Sequence, residues 1–417
     1  MTRKHSDWLS AAQASSRLGV KLATLYAYTS RGLISSMPSE GARGRRYASE
    51  DVERLRTRHD ARSGHAPVAA SALRFGEPVL ETRISQVSRE GLFYRGHSAI
   101  ELARRDVGFE HVAELLWTGA VPDGAAEPGT RENRARAGDF EAKRVWPLLT
   151  GSRGTLAKMA LILAALALCD EDRHAQADAA EHARARTVTR WLACTPASKP
   201  PKALPKTDVA SALLHALGIT PSEALRVHVD RALVLSAEHE LNASTFAARV
   251  AASAGADLYA CLGAAVSTLS GSLHGGMCDR VEALLATIET RARAARTVRE
   301  WLARGEQVPG FGHPLYPQGD PRGTLLLELA RNYGAKTEAA HTALALVDAM
   351  SAGGHPLPTL DAGLVTLCAC LELPRGTAAT IFAVGRTAGW VAHILEQRAA
   401  GFLLRPRARY VGVPPLA

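Results

Sequence analysis

The charge of this chain is shared unevenly along its length, and that step limits what it can fold into. Residues 1–66 hold twelve Lys/Arg and six Asp/Glu, a net of +6, while the other 351 residues carry only +3 of the total +9. At 417 residues the chain is also long for one domain, so a small basic module joined to a nearly neutral body is the expectation. The run SGHAPVAASA, from Ser63, is small and flexible and marks the join near residue 70. Apolar residues make up 47% of the chain and aromatics only 5%, with Ala, Leu and Arg abundant, which favours helices over sheets. The six cysteines, at 169, 194, 261, 278, 368 and 370, form neither a CxxC pair nor a zinc spacing and read as reduced thiols. MTRKHSDWLS lacks the apolar core of a signal peptide, and the most apolar run, Met159 to Cys169, is too short to span a bilayer and reads as a buried helix. The expected setting is the cytoplasm, with no membrane partner.

Within the basic head, Ser10 is placed to cap a helix over Ala11 to Leu18 that Gly19 ends, and a second helix runs from Leu22 to Ser30. Helix, glycine turn, helix is the layout that sends its second helix into a major groove, making Lys21, Thr24, Tyr26, Tyr28 and Arg31 candidate DNA contacts. In GARGRRYASEDVERL, Arg45 and Arg46 sit in a basic hairpin wing, and Ser49 caps a third helix with Val52 and Leu55 inward. LGV, TLY, RGLI, RY and DVERL resemble, in that order, the winged helix-turn-helix head of the MerR and excisionase type over residues 1–66. Two roles stand for such a head: DNA binding, for which +6 gives weak phosphate affinity without dimerisation, and docking or oligomerisation.

The body begins with alternation at Thr82, Ile84, Gln86 and Val87, as in a short hairpin strand, and passes into helical spacing. Helices are expected over 155–169, 176–194 and 208–217, with polar surface loops over 123–145 and 195–207. Four clusters carry chemistry-bearing residues. In AEHELNASTF, His239 and Asn242 lie three apart, on one helical face. In SLHGGMCDRVEALLATI, His274 precedes a helix whose positive end disfavours imidazolium, so a neutral ring offering one N–H is expected, suited to a developing enolate; a histidine packed in a glycine turn is the plainer alternative. VPGFGHPLYPQGDPRG is dense enough in Gly and Pro to form a fixed loop presenting backbone N–H groups and holding His313 and Arg322. In the fourth, Asp361 opens a helix with Leu364, Leu367 and Leu371 inward, where a first-turn structural acid is the commoner fate. The next helix sets Phe382, Arg386, Gly389, Trp390 and His393 at spacings of three and four, and a guanidinium on that stripe needs an anionic partner. Arg405 and Arg407 flank Pro406, where a solvated basic tail is the alternative.

EHELNAS, LHGG, PGFGHPLY with DPR, Asp361, and GRTAGW with LEQ and RPR resemble the citrate synthase family in order and spacing, over residues 80–412. The resemblance implies a mainly α, multi-helical fold: a large domain over 67–276 and 373–417, and a small one over 277–372, with the site in the cleft. It implies condensation of an acyl-CoA with oxaloacetate. Asp361 would take a methyl proton, His274 would hydrogen-bond the thioester oxygen, and His313 would polarise the ketone. His239, Arg322, Arg386 and Arg405 would hold oxaloacetate, Arg405 from a neighbouring subunit, and Pro309, Gly310, Phe311 and Gly312 would contact CoA. It implies a homodimer at least, with no metal and no cofactor beyond the CoA thioester substrate. Three stretches depart from the usual pattern, all around the acyl-CoA: Pro317 replaces a basic residue, Met277 and Cys278 stand where the family often has Ala and Asn, and PTLDA at 358–362 replaces PNVDF. Acetyl-CoA is the first expectation and propionyl-CoA the second. A citryl-CoA lyase, and a DNA-binding regulator whose body senses a metabolite, are the alternatives.

Overall fold

The computed structural model describes residues 8–38, 44–53, 55, 80–88, 90–120, 142–150, 154–271, 274–288, 290–406 and 412–413. Backbone contacts divide it into two units: Met1–Glu81 with Arg405–Ala417, and Thr82–Leu404. The join at 63–72 lies outside the described residues.

In the first unit, β1 (Trp8–Ser10) leads into α1 (Ala11–Leu18), and α2 (Leu22–Ser30) is followed by β2 (Ser36–Pro38) and β3 (Arg45–Ala48). The Ser10 hydroxyl accepts from the Gln13 N–H while the Gln13 side chain accepts from the Ser10 N–H, a reciprocal cap, and Gly19 closes α1 at φ 63°. β3 pairs with both β1 and β2, antiparallel, so the expected wing is an antiparallel pair. Residues 49–53 are helical, with Val52 buried against Leu9, Ala14, Leu18, Leu25, Ile34 and Tyr47. Lys21, Tyr26, Arg31 and Arg45 are exposed, while Thr24, Tyr28 and Arg46 are half-buried.

The second unit opens with the hairpin β4 (Ser85–Ser88) and β5 (Gly91–Tyr94), extended by β6 (His97–Ser98). Helices follow: α3 (Ala99–Arg104), α4 (Phe109–Thr118), α5 (Ala142–Thr150), α6 (Thr155–Cys169), α7 (Asp178–Ala193), α8 (Val209–Ala216), α9 (Glu223–Ser236), α10 (Ala243–Ser253) and α11 (Leu258–Leu269). Then come α12 (Met277–Ile288), a 3₁₀ turn (Arg291–Arg293), α13 (Ala294–Ala303), α14 (Pro321–Tyr333), α15 (Glu338–Ala352), α16 (Leu360–Cys370) and α17 (Thr377–Ala400).

Three expectations need correction. The polar stretch written as loop to residue 145 gives way to α5 from Ala142, because Val145, Trp146 and Leu149 supply an apolar face that the polar residues before them mask. Met159 to Cys169 is not buried all round: Met159, Ile162, Leu163 and Leu166 face the core, whereas Leu168 is 83% exposed. His239 and Asn242 do not share a helical face. Glu240 takes φ 53° and ends any helix there, and Asn242 instead caps α10 by accepting from the Thr245 N–H.

α17 is long and apolar enough to cross a bilayer, yet 83% of its most apolar stretch is buried inside the fold. It packs along α9 and α10 as a central core helix. Gly389 makes that approach feasible, since a Cβ there would overlap Ala237 O and the Glu238 carboxylate. A second apolar cluster, from Leu284 to Ala362, gathers α12, α13 and α15 around Val298, Leu346 and Met350.

Candidate active site

Six of the expected residues lie within the second unit and act on one another. Arg322 is held by Asp320, which caps α14: its Nε and one terminal nitrogen donate to the two carboxylate oxygens at 3.0 and 2.7 Å. Burial works against this guanidinium, but Asp320 more than compensates and its pKa rises. Its remaining terminal nitrogen is buried without a hydrogen-bond partner among the described residues. Arg386, 2% exposed, donates from Nε to Ser236 O at 2.8 Å and lies 4.8 Å from the Phe382 ring centroid. The anionic partner expected for Arg386 is the charge of buried Glu238 rather than a close ion pair, and burial lowers the pKa of the guanidinium. Two buried guanidiniums, one with an open donor, make a site for an anion.

The imidazoles follow from these charges. His239 is held well below its usual range by burial and then by Arg322, Arg386 and His313. Its Nε2 lies 3.0 Å from the Tyr316 hydroxyl, and its ring stands edge-on to His313 at 5.3 Å. His274 is lowered to about 4 by burial and Arg386, so it is neutral as expected, though burial rather than a helix dipole is the main cause. The Ser244 N–H donates to His274 Nε2 at 3.2 Å, which makes Nε2 the acceptor and leaves the ring proton on Nδ1. His313 is lowered by burial and Arg322, and its Nδ1 accepts from the Leu315 N–H at 3.1 Å, leaving the proton on Nε2.

Asp361 lies in the first turn of α16 with its pKa raised by burial, opposed by Cys278 and Arg322. Cys278 Sγ is 3.2 Å from Oδ1 and the Thr359 hydroxyl 3.5 Å from Oδ2. Asp320 also accepts from the Leu360 N–H at 3.2 Å, so one buried carboxylate fixes both Arg322 and the end of the helix that carries Asp361. The loop before His313 is pinned by Thr359 N–H to Gly310 O and Gly312 N–H to Leu357 O, each at 2.8 Å. Gly310 stands at φ 84° with Val281 where a Cβ would be, so no other residue fits there unstrained. A cavity of about 500 Å³ opens beside this loop, lined by Phe311, Gly312, His313, Val308 and Met350 among others; Pro309 and Gly310 are buried and form no part of its wall. Arg405 is exposed and belongs to the other unit.

Sequence reasoning passed over four residues that hold this arrangement. They are Tyr316, which meets both histidines; Asp320; Ser244, which also accepts from Trp390 Nε1 at 3.1 Å; and Glu238. Glu238 is fully buried between Ser85 and His393. The cap pattern Asp-Pro-Arg at 320–322 was a readable signal for Asp320; nothing local marks the other three.

A helical core, two neutral imidazoles of fixed tautomer, a buried carboxyl and paired guanidiniums define a site for moving a proton beside a bound anion. Comparison with known proteins narrows the class. The family model of the citrate synthase C-terminal domain matches residues 74–407, and that of the MerR helix-turn-helix regulatory proteins matches residues 9–64. Over 367 residues the chain is 32% identical to a citrate synthase of Haloferax volcanii, covering 81% of this chain and 94% of that protein. It is 31% identical over 354 residues to a 2-methylcitrate synthase of Mycobacterium tuberculosis, covering 81% and 89%. The crystal structure of citrate synthase from Pyrobaculum aerophilum shares the fold with a TM-score of 0.67 and 28% identity, over 82% of this chain and 92% of that one. The chain belongs to the citrate synthase family and carries a MerR-type head.

Proposed function

We propose that the protein condenses an acyl-CoA with oxaloacetate and releases CoA, with acetyl-CoA as first substrate and propionyl-CoA as second. The observation that carries this reading is the tautomer of each imidazole: a backbone amide occupies one nitrogen of His274 and one of His313, so each presents a single N–H. In the reaction Asp361 takes a proton from the carbon next to the thioester, and His274 Nδ1–H meets the oxygen that becomes an enolate. The enol carbon attacks the oxaloacetate ketone, whose oxygen takes a hydrogen bond from His313 Nε2–H. Arg322, Arg386 and His239 hold the carboxylates, and the cavity beside Phe311 and Gly312 receives CoA. Hydrolysis of the resulting CoA thioester frees the product; the lyase direction uses the same groups in reverse.

The finer assembly belongs to the same proposal. Residues 277–372 form a small domain, which the separate apolar cluster between Leu284 and Ala362 supports, and residues 67–276 with 373–417 form the large one. The protein is a homodimer in which Arg405 serves the partner's site, supported by the exposed apolar side chains of Leu168 on α6 and Val250 on α10. Six free thiols favour a reducing, cytoplasmic setting.

A second function, DNA binding through Lys21, Thr24, Tyr26, Arg45 and Arg46, is favoured by the helix-turn-helix geometry of the head and its family match. The deciding experiment mixes the purified protein with oxaloacetate and acetyl-, propionyl- or butyryl-CoA and follows free thiol. Turnover with at least one is expected. Silence with all three, beside a DNA mobility shift that responds to oxaloacetate or CoA, makes the protein a regulator instead.

A further inference from the structure

The carboxyl group that the proposed reaction uses as its base has a thiol hydrogen-bonded to it. Cys278, 2% exposed in the first turn of α12, places Sγ 3.2 Å from Asp361 Oδ1. Burial, and then the negative charge of Asp361, push this thiol well above its usual range, so the sulfur keeps its proton and is the donor. Those conditions also deny it the thiolate a nucleophile needs. At the other carboxylate oxygen the Thr359 hydroxyl stands at 3.5 Å, too long to hold it firmly, and that hydroxyl also donates to Gly310 O at 3.1 Å. The neighbouring Met277 uses its sulfur too, accepting from the Gly310 N–H at 3.2 Å, so one helical turn is tied both to the base and to the loop before His313. Around Asp361 the charged groups are Arg322 and Asp320 at the start of α14 and Arg386 on α17; Asp279 and Cys368 face the thiol.

We propose that Cys278 is the positioning residue of the base: its S–H holds Oδ1, leaves Oδ2 to take the proton from the acyl carbon, and favours the ionised carboxylate. The assignment rests on the condensation reading of the site. A hydrogen bond to the charged form lowers a carboxyl pKa, so loss of the donor raises the proton affinity of Asp361.

Two measurements on the full-length protein test this. The first needs no turnover: the infrared S–H stretch. Cys278→Ala should delete a band lying below the frequency of free thiols, and Asp361→Asn should move that band upward; a deleted band at the free-thiol position overturns the contact. The second is the pH dependence of kcat/KM for the acyl-CoA. Cys278→Ala should shift the acid limb upward by about one pH unit, a tenfold change in proton affinity, and Cys278→Ser, which keeps a donor, should restore most of it. An active enzyme whose limb is unmoved in both variants overturns the role of the thiol alone. A low-frequency band in a protein that releases no thiol from any acyl-CoA overturns the condensation reading, and with it the role given to Cys278.

Discussion

His274 and His313 each carry the ring proton on the nitrogen that a backbone amide has not taken: the Ser244 N–H, from the start of α10, donates to Nε2 of His274, and the Leu315 N–H, two residues on in the same loop, donates to Nδ1 of His313. A neutral ring as donor suits an enolate, since it can polarise the oxygen without being protonated first in a buried site that disfavours imidazolium. On the proposed condensation Asp361 is the base, and it is the residue on which rate should depend most. Asp361→Asn removes proton transfer and should lower kcat by about 10²–10⁴ in a free-thiol assay, the usual worth of a positioned general base. Its raised pKa places the acid limb of kcat/KM above the ordinary aspartate range, with activity falling as pH drops through it. Arg322→Leu leaves Asp320 buried without its cation and removes a donor to the anion. It should raise KM for oxaloacetate tenfold or more, since a hydrogen bond to a charged group contributes about 1.5–3 kcal/mol. Arg322→Lys should not restore binding, because the fork that Asp320 grips is lost.

At the scale of elements, turns and loops deliver the three histidines, while helices deliver Asp361 and the two guanidiniums. The turn between α9 and α10 supplies His239, the turn before α12 supplies His274, and the pinned loop before α14 supplies His313. Gly310→Ala forces a side chain into Val281 at a positive φ, so it should destabilise the fold by about 1–3 kcal/mol in a denaturant melt. Because that loop leads into His313, kcat should fall with it. In the head, Ser10→Ala removes the reciprocal cap of α1 and should lower stability there by about 1 kcal/mol, read by hydrogen exchange of the α1 amides. The helix bounds of α1, α2 and α6 were legible in the sequence, because caps, glycines and apolar spacing are local signals. The turn at Glu240 was not. EHEL has helical composition, and the break shows only in the positive φ of Glu240, next to the buried contacts of Glu238 with Ser85 and His393.

For the molecule as a whole, buried carboxyls contribute to the pH response with both signs: Glu238 and Asp320 are lowered, Asp230 is raised. Asp230 accepts from the Phe109 N–H at the start of α4, and burial raises its pKa to about 7, with nearby Glu110 adding to the effect. A carboxyl raised in the folded state binds protons that the unfolded chain has already released. The contribution of Asp230 to stability is therefore lost as pH rises from about 4, the unfolded value, through 7. Asp230→Asn keeps an oxygen for the Phe109 amide and should raise stability above pH 7 by on the order of 1 kcal/mol, read as a higher melting temperature, with little effect at pH 4. What the sequence determined by itself was the division into a basic head and a helical body, the identity of the family, and the residue types of the site, because charge, periodicity and ordered motifs are written along the chain. What only the tertiary structure decided was how those residues are held: Asp320 gripping both Arg322 and the start of α16, the backbone donors on His274 and His313, and the thiol of Cys278 on Asp361. The grip on α16, the donor to His274 and the thiol on Asp361 join residues 30 to 83 positions apart, and the donor to His313 settles which ring nitrogen keeps its proton. No local pattern encodes these, whereas the Asp320–Arg322 pair, two positions apart, lies within reach of the Asp-Pro-Arg pattern.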